Sequence, residues 1–151
     1  MSTAKSELKL RSEIDKKIGE LVLRAEKVIE DLRDKLNRIE NNQIKNVLAV
    51  ANSAPHSAIV TNFIRYQMGR QGAPRKAWSE SGLGEKVIQE VDGRVRALAS
   101  TVASAAGCAD VDYVHAKLVS LFLGFLNRSF VFAKANGGKA HVQQVHVKNK
   151  Y

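Results

Sequence analysis

NNQIKNVLAVANSAPHSAIVTNFIRYQMGRQGAPRKAW, residues 41–78, decides how this chain reads. Its periodicity predicts two short amphipathic helices joined by a turn and followed by a basic loop. Ile44, Val47, Leu48 and Ala51 make the buried stripe of the first, with Asn41 or Asn42 as its N-cap. Asn52, Ser53 and Pro55 end that helix and start the next, Pro55 suiting a first helical turn. The second runs to about Gln67, buries Ile59, Phe63 and Met68, and stops at Gly69 and Gly72. From Gly72 to Gly84 the stretch GAPRKAWSESGLG reads as the most linker-like loop of the chain. Residues 41–78 also hold five cations (Lys45, Arg65, Arg70, Arg75, Lys76) and no carboxylate.

Working outward, the segment before it is a single long helix from Ser6 to Ile39. Ile14, Ile18, Leu21, Ala25, Val28, Leu32, Leu36 and Ile39 recur every three or four residues among Lys, Arg, Glu and Asp, and Gly19 is the one weak point. Two readings of its charged face stay open, a solvated surface and a coiled-coil seam. Downstream, Val87, Val91, Val95, Leu98 and Val102 line a fourth helix from Glu85 to about Ala106, closed by Gly107. Asp110 or Asp112 caps a fifth, which runs to Ala135. Leu118, Leu121, Phe122, Phe125, Leu126 and Val131 make it the central core helix, and Asn136-Gly137-Gly138 stops it. The fold expected is therefore all-α, a five-helix bundle over residues 1–139, with a flexible basic tail at 140–151.

Charge is uneven. Residues 1–40 carry ten cations and nine acids, 41–79 five and none, 80–133 five and six, and 134–151 four and none, within a net +9. The excess sits in the middle segment and the tail, which points to a polyanion, nucleic acid first. Cys108 is the only cysteine, so no intrachain disulfide forms. Charges alternate from Lys5 with no apolar signal-like run, and Leu118–Leu126 is far shorter than the roughly 20 residues that span a bilayer. A cytoplasmic protein with no membrane partner is the expectation.

No catalytic signature is present. His56, His115, His141 and His146 scatter over turn, helix and tail, and Cys108 has no basic neighbour in sequence. His141 and His146, five apart in the tail, make a weak metal pair. Asp110 and Asp112 read as helix-start residues, and the glycines match no phosphate loop because no strand precedes them and no Gly-Lys-Ser/Thr follows. An enzyme is not expected, nor any cofactor.

The basic segment carries two readings. In one, Arg65 and Arg70 stabilise the end of a helix dipole. In the other they contact phosphates, Arg75 and Lys76 extend the patch, and Tyr66 or Trp78 stacks on a single strand. Tyr66 reads equally as a core residue with an exposed hydroxyl, and Trp78 as an anchor for its loop.

Three anchors resemble the small helical subunit of type III CRISPR RNA-guided effector complexes, the Csm-type small subunit. Asn42-Gln43-Ile44-Lys45 followed by Val47-Leu48 is similar to the family's helix opening. FIRYQMGR, Phe63 to Arg70, resembles its aromatic, Tyr-Gln and Gly-Arg segment, the most specific of the three. Phe130, Phe132 and Lys134 leading into Gly137-Gly138-Lys139 is similar to its aromatic–lysine helix with a terminal Gly-Gly-Lys. The likeness spans roughly residues 40–75 and 110–139; residues 82–106 and 140–151 have no counterpart. It implies a non-catalytic antiviral-defence subunit stacked in copies along the effector filament, beside guide RNA, target RNA, and the backbone and large subunits. By that resemblance Lys45, Arg65, Arg70 and Lys139 face nucleic acid, with contacts to backbone and shape while guide pairing reads sequence. Arg75 and Lys76 join them on charge alone, and Tyr66 as a stacking ring.

Two other classes stay open. A helix-turn-helix DNA-binding regulator would use the short turn between the second and third helices, although Arg65 and Arg70 fall late in the would-be recognition helix. A coiled-coil adaptor would use the first helix, its charge incidental.

Overall fold

The computed structural model describes residues 4–137, and Lys139 and the tail at 140–151 lie outside them. The described residues are helical with no strand: α1 (Ala4–Asp15), α2 (Ile18–Asp31), a 3₁₀ segment (Arg33–Arg38), α3 (Asn41–Ser53), α4 (Ser57–Gly69), a single turn α5 (Ala73–Arg75), α6 (Leu83–Glu90), α7 (Arg96–Ala106) and α8 (Val111–Ala135). Two π turns, Lys76–Glu80 and Val91–Val95, follow α5 and join α6 to α7. The all-helical expectation holds, while eight α-helices replace the expected five.

The long first helix is the first correction. It breaks at Lys16–Lys17, where Lys17 N–H turns back to Ile14 O at 2.8 Å, and again at Leu32. The break follows from the partners on either side. α1 buries Leu10 and Ile14 and packs on α7, whereas α2 buries Leu21, Ala25, Val28 and Ile29 and packs on α8. One straight rod cannot serve both. Leu36 and Ile39 continue the core through the 3₁₀ segment, and the Lys134 ammonium at the far end of α8 donates to the Ile39 carbonyl.

α8 lies at the centre, against α2, α3 and α7. Leu118, Phe122, Leu126 and Phe130 recur every four residues on its buried face. Val131, expected in the core, is 49% exposed because it falls about 140° round the helix from Leu126. Asp110 caps α8, its carboxylate accepting from Tyr113 N–H at 3.1 Å. With 25 residues and an 18-residue window of mean hydropathy 1.4, α8 has the length of a membrane span, yet it packs its apolar face into the bundle as a core helix does.

The stripe Val87, Val91, Val95, Leu98, Val102 is buried throughout, as the periodicity predicts. Steps of four drift about 40° each in an ideal helix. The wider π turn at Val91–Val95 takes up that drift and keeps all five on one face.

The Gly72–Gly84 loop is the second correction. Gly72, at φ +86°, turns the chain into α5, and the π turn that follows buries Ala77 and Trp78 completely. Ser81 ends it: its hydroxyl donates to the Ala77 carbonyl and accepts from Leu83 N–H at 3.0 Å, while Gly82 supplies φ +88°. A Cβ on Gly84 would stand 2.7 Å from the Trp78 carbonyl and from Met68 Sδ, so only glycine lets α6 close on α4 here. What reads as a linker is a wedge with Trp78 at its centre.

The helix caps differ as well. Glu40, without a side-chain bond, takes the N-cap place of α3 expected for Asn41 or Asn42. His56 rather than Pro55 opens α4, its Nδ1 accepting from Ala58 N–H at 3.0 Å.

Candidate nucleic-acid interface

The acid-free segment folds into α3, α4, α5 and the first π turn. α3 buries Gln43, Ile44, Val47 and Ala51, which leaves Lys45 in solvent. α4 carries two apolar stripes in its sequence, and the other one from that expected goes inward. Val60, Thr61, Ile64 and Gln67 are buried, against α3, α6 and the Trp78 turn. Ile59 is therefore 44% exposed, Phe63 and Met68 half-buried, and Tyr66 57% exposed. Periodicity alone could not choose, because both stripes have helical spacing; the Trp78 wedge does.

Three of the predicted residues, Tyr66, Arg70 and Arg75, gather at the C-terminal end of α4. The Arg70 guanidinium carbon lies 5.3 Å from the centre of the Tyr66 ring, and one of its nitrogens donates to Gln67 Oε1 at 3.1 Å. Phe63 also packs near Tyr66, ring centres 6.0 Å apart and tilted 43°. Arg75 donates to the Gly69 carbonyl at 2.8 Å, satisfying a free acceptor at the helix end. The capping reading thus describes Arg75. Arg65 is exposed about 100° round α4 from Tyr66, and Lys76 follows Arg75 in solvent. Lys45, on α3, makes no bond to any of them. Trp78 is excluded from stacking by its burial, and its indole N–H is enclosed without an acceptor.

Among the described residues, no Lys or Arg from 41 to 79 forms an ion pair. Elsewhere seven cations find carboxylates, among them Arg24, which grips Glu90 through Nε and Nη2 (2.9 and 2.5 Å), Lys27 and Lys86, which meet Asp31, and Arg96, which meets Asp112 at 2.7 Å. Lys134, in the third anchor, is held by the Ile39 carbonyl and the Phe130 ring at 5.4 Å, a tether between α8 and the 3₁₀ segment.

A second polar group escaped the sequence reading. His56, Ser57, Asp92, Arg96, Asp112 and His115 line a cavity of about 420 Å³ where α4, α7 and α8 begin. His115 Nε2 lies 2.7 Å from the Val91 carbonyl and its Nδ1 3.4 Å from Arg96 Nη1. A carbonyl only accepts and a guanidinium only donates, so the ring is neutral with its proton on Nε2. Burial holds the His115 pKa below the ordinary imidazole value, with Val91 opposing and Arg96 adding to the shift. The hydrogen bond from Arg96 keeps the Asp112 carboxyl below the usual carboxylate range, and His56 Nε2 stands 3.5 Å from its other oxygen. Ser57 bonds to neither imidazole, so no nucleophile–base pair exists there. The group is a junction of three helices. Only the i, i+3 spacing of Asp112 and His115 hints at it in the sequence.

No protein-family model, curated protein or solved structure matches the chain.

Proposed function

We propose that the chain is a non-catalytic RNA-binding small subunit of a type III CRISPR effector complex, stacked in copies along the filament. It would touch guide–target RNA through its acid-free face. The observation that carries the reading is a contrast in pairing: Lys45, Arg65 and Lys76 are exposed and without a carboxylate partner, whereas Arg24, Lys27, Lys86 and Arg96 meet carboxylates within the fold. Unpaired cations on a rigid helical surface attract phosphates by releasing counterions, whatever the sequence. The resemblance at residues 42–48, 63–70 and 130–139 supplies the context of a cytoplasmic assembly with guide RNA, target RNA and neighbouring subunits.

The competing classes have less support. Exposed positions early in α4 are Ala58, Ile59 and Asn62, which offer a DNA groove no cation where recognition helices make base contacts. α1 and α2 turn Leu10, Ile14, Leu21, Ala25, Val28 and Ile29 into their own bundle, and the exposed Leu8 and Leu23, fifteen residues apart on separate helices, make no continuous seam for a coiled-coil partner.

Co-purification from the native host through a tag on this chain tests the proposal. Recovery of a guide RNA with a fixed 5′ sequence and several larger subunits is the expected result. The chain recovered alone, or with a fragment of promoter DNA, would overturn it.

A further inference from the structure

On α4 the positions Ile59, Phe63, Tyr66 and Arg70 are four, three and four residues apart, so they form one stripe about 16 Å long at 1.5 Å per residue. None is buried. Singly exposed apolar residues are ordinary on a protein surface; a contiguous run that ends in a guanidinium, on a face without carboxylates, is not. Phe63 and Arg70 each lie against the Tyr66 ring, and the bond to Gln67 ties one edge of Arg70 in place. Gln67 is itself 2% exposed, so this support is rigid. The Arg70 guanidinium lies over the tyrosine ring, and both side chains are exposed to solvent. Arg65, exposed about 100° round α4 from Tyr66, is a cation without an ion pair that can meet a phosphate.

We infer that the Ile59–Phe63–Tyr66–Arg70 stripe is a stacking platform for an unpaired base, so that this face prefers single-stranded RNA to a closed duplex. The inference rests on the RNA-binding reading and sharpens it. Duplex RNA offers phosphates and 2′-hydroxyls but keeps its base planes covered, while an unpaired base can lie on an aromatic ring or a guanidinium plane. Phosphate contacts alone give no such preference.

The test compares the full chain and its variants by fluorescence anisotropy against two RNAs at about 100 mM salt. One is an unstructured strand of about 12 nucleotides carrying 2-aminopurine, within the span of common single-strand sites. The other is a duplex of about 16 base pairs. The wild type is expected to bind the single strand more tightly, with a change in 2-aminopurine emission. Tyr66→Ala should lower single-strand affinity roughly tenfold, in line with one lost stacking contact, and duplex affinity less than about twofold. Arg70→Lys keeps the charge and loses the plane, so it should reproduce that asymmetry at roughly fivefold. Equal binding of both RNAs, or equal losses in both variants, would overturn the platform while leaving an RNA-binding face. Binding of neither RNA would overturn both readings. Concentration-dependent self-association abolished by Tyr66→Ala, with RNA affinity unchanged, would assign the stripe to a second copy of the chain and so overturn the inference.

Discussion

The bundle has two kinds of charged surface. Around α2, α6 and α7 cations and acids face one another across elements, as in Arg24–Glu90, Lys86–Asp31 and Arg94–Glu20, and their fields largely cancel. From Asn41 to Ser79 the chain holds no acid, and none of its Lys or Arg forms an ion pair among the described residues. The difference does not come from the number of cations, since residues 80–133 hold five, as residues 41–79 do. It comes from where the carboxylates were placed. Charge pairing across elements locates helices relative to one another, whereas unpaired charge on α3, α4 and the wedge is available to a ligand.

The largest effect that would break this division lies under the acid-free face. Trp78 carries that face on its completely buried ring. Trp78→Ala should cost about 3–5 kcal/mol of stability by leaving a cavity. Trp78→Phe, which removes the unpaired indole N–H and keeps a ring, should cost less than about 1.5 kcal/mol. Urea midpoints of the two variants check this, and similar losses for both would mean that ring packing is not what Trp78 contributes. Gly84→Ala should cost about 1–3 kcal/mol by the same assay, since its methyl would meet the Trp78 carbonyl.

Next comes the helix junction on the paired side. Because the folded pKa of His115 is lowered from 6.5, the unfolded chain binds the extra proton first as pH falls. Its contribution is complete above about pH 6.5, is lost at up to about 1.4 kcal/mol per pH unit below it, and levels off under the folded value. His56, Arg96, Asp92 and Asp112 face the same cavity, and Asp112, lowered from 3.8, acts in a separate and more acidic window. Chemical denaturation at pH 7.5 and 5.5 should show a larger loss in wild type than in His115→Gln; equal losses would remove His115 from the account.

The smallest effects separate buried from surface pairing. A double-mutant cycle on Arg24 and Glu90 should give a coupling of about 1 kcal/mol, because the contact is bidentate and Glu90 is mostly covered. The Lys27–Asp31 cycle, on an exposed helix face, should give about 0.3–0.5 kcal/mol. A reversed order would mean that pairing across elements does not stabilise the fold.

Much of this was legible. The helical class, the five-residue valine and leucine stripe from Val87 to Val102, and the Asp110 cap follow from periodicity and capping chemistry. The Trp78 wedge was not, because Gly, Pro and Ser mark a linker and a tight helical corner with the same letters. The exposed side of α4 was not, because Ile59–Phe63 and Val60–Ile64 are equally good stripes until a neighbour presses on one of them. The His56–Asp112–His115 junction draws on residues far apart in the chain, which only tertiary packing assembles. That Tyr66, Arg70 and Arg75 lie together was legible because they are local, within one helix end and the next turn.

The measurement that bears most directly on the central claim is the salt dependence of RNA affinity for wild type and for Arg65→Glu with Arg70→Glu, with helicity followed by circular dichroism. Between about 50 and 200 mM salt the wild type should lose affinity steeply, and the variant should bind more weakly at low salt with a log–log slope smaller by about 1.4, two single-strand phosphate contacts at about 0.7 each. Helicity should be unchanged, since both side chains are exposed. The same affinity and slope in both proteins would contradict the claim that the acid-free face binds RNA.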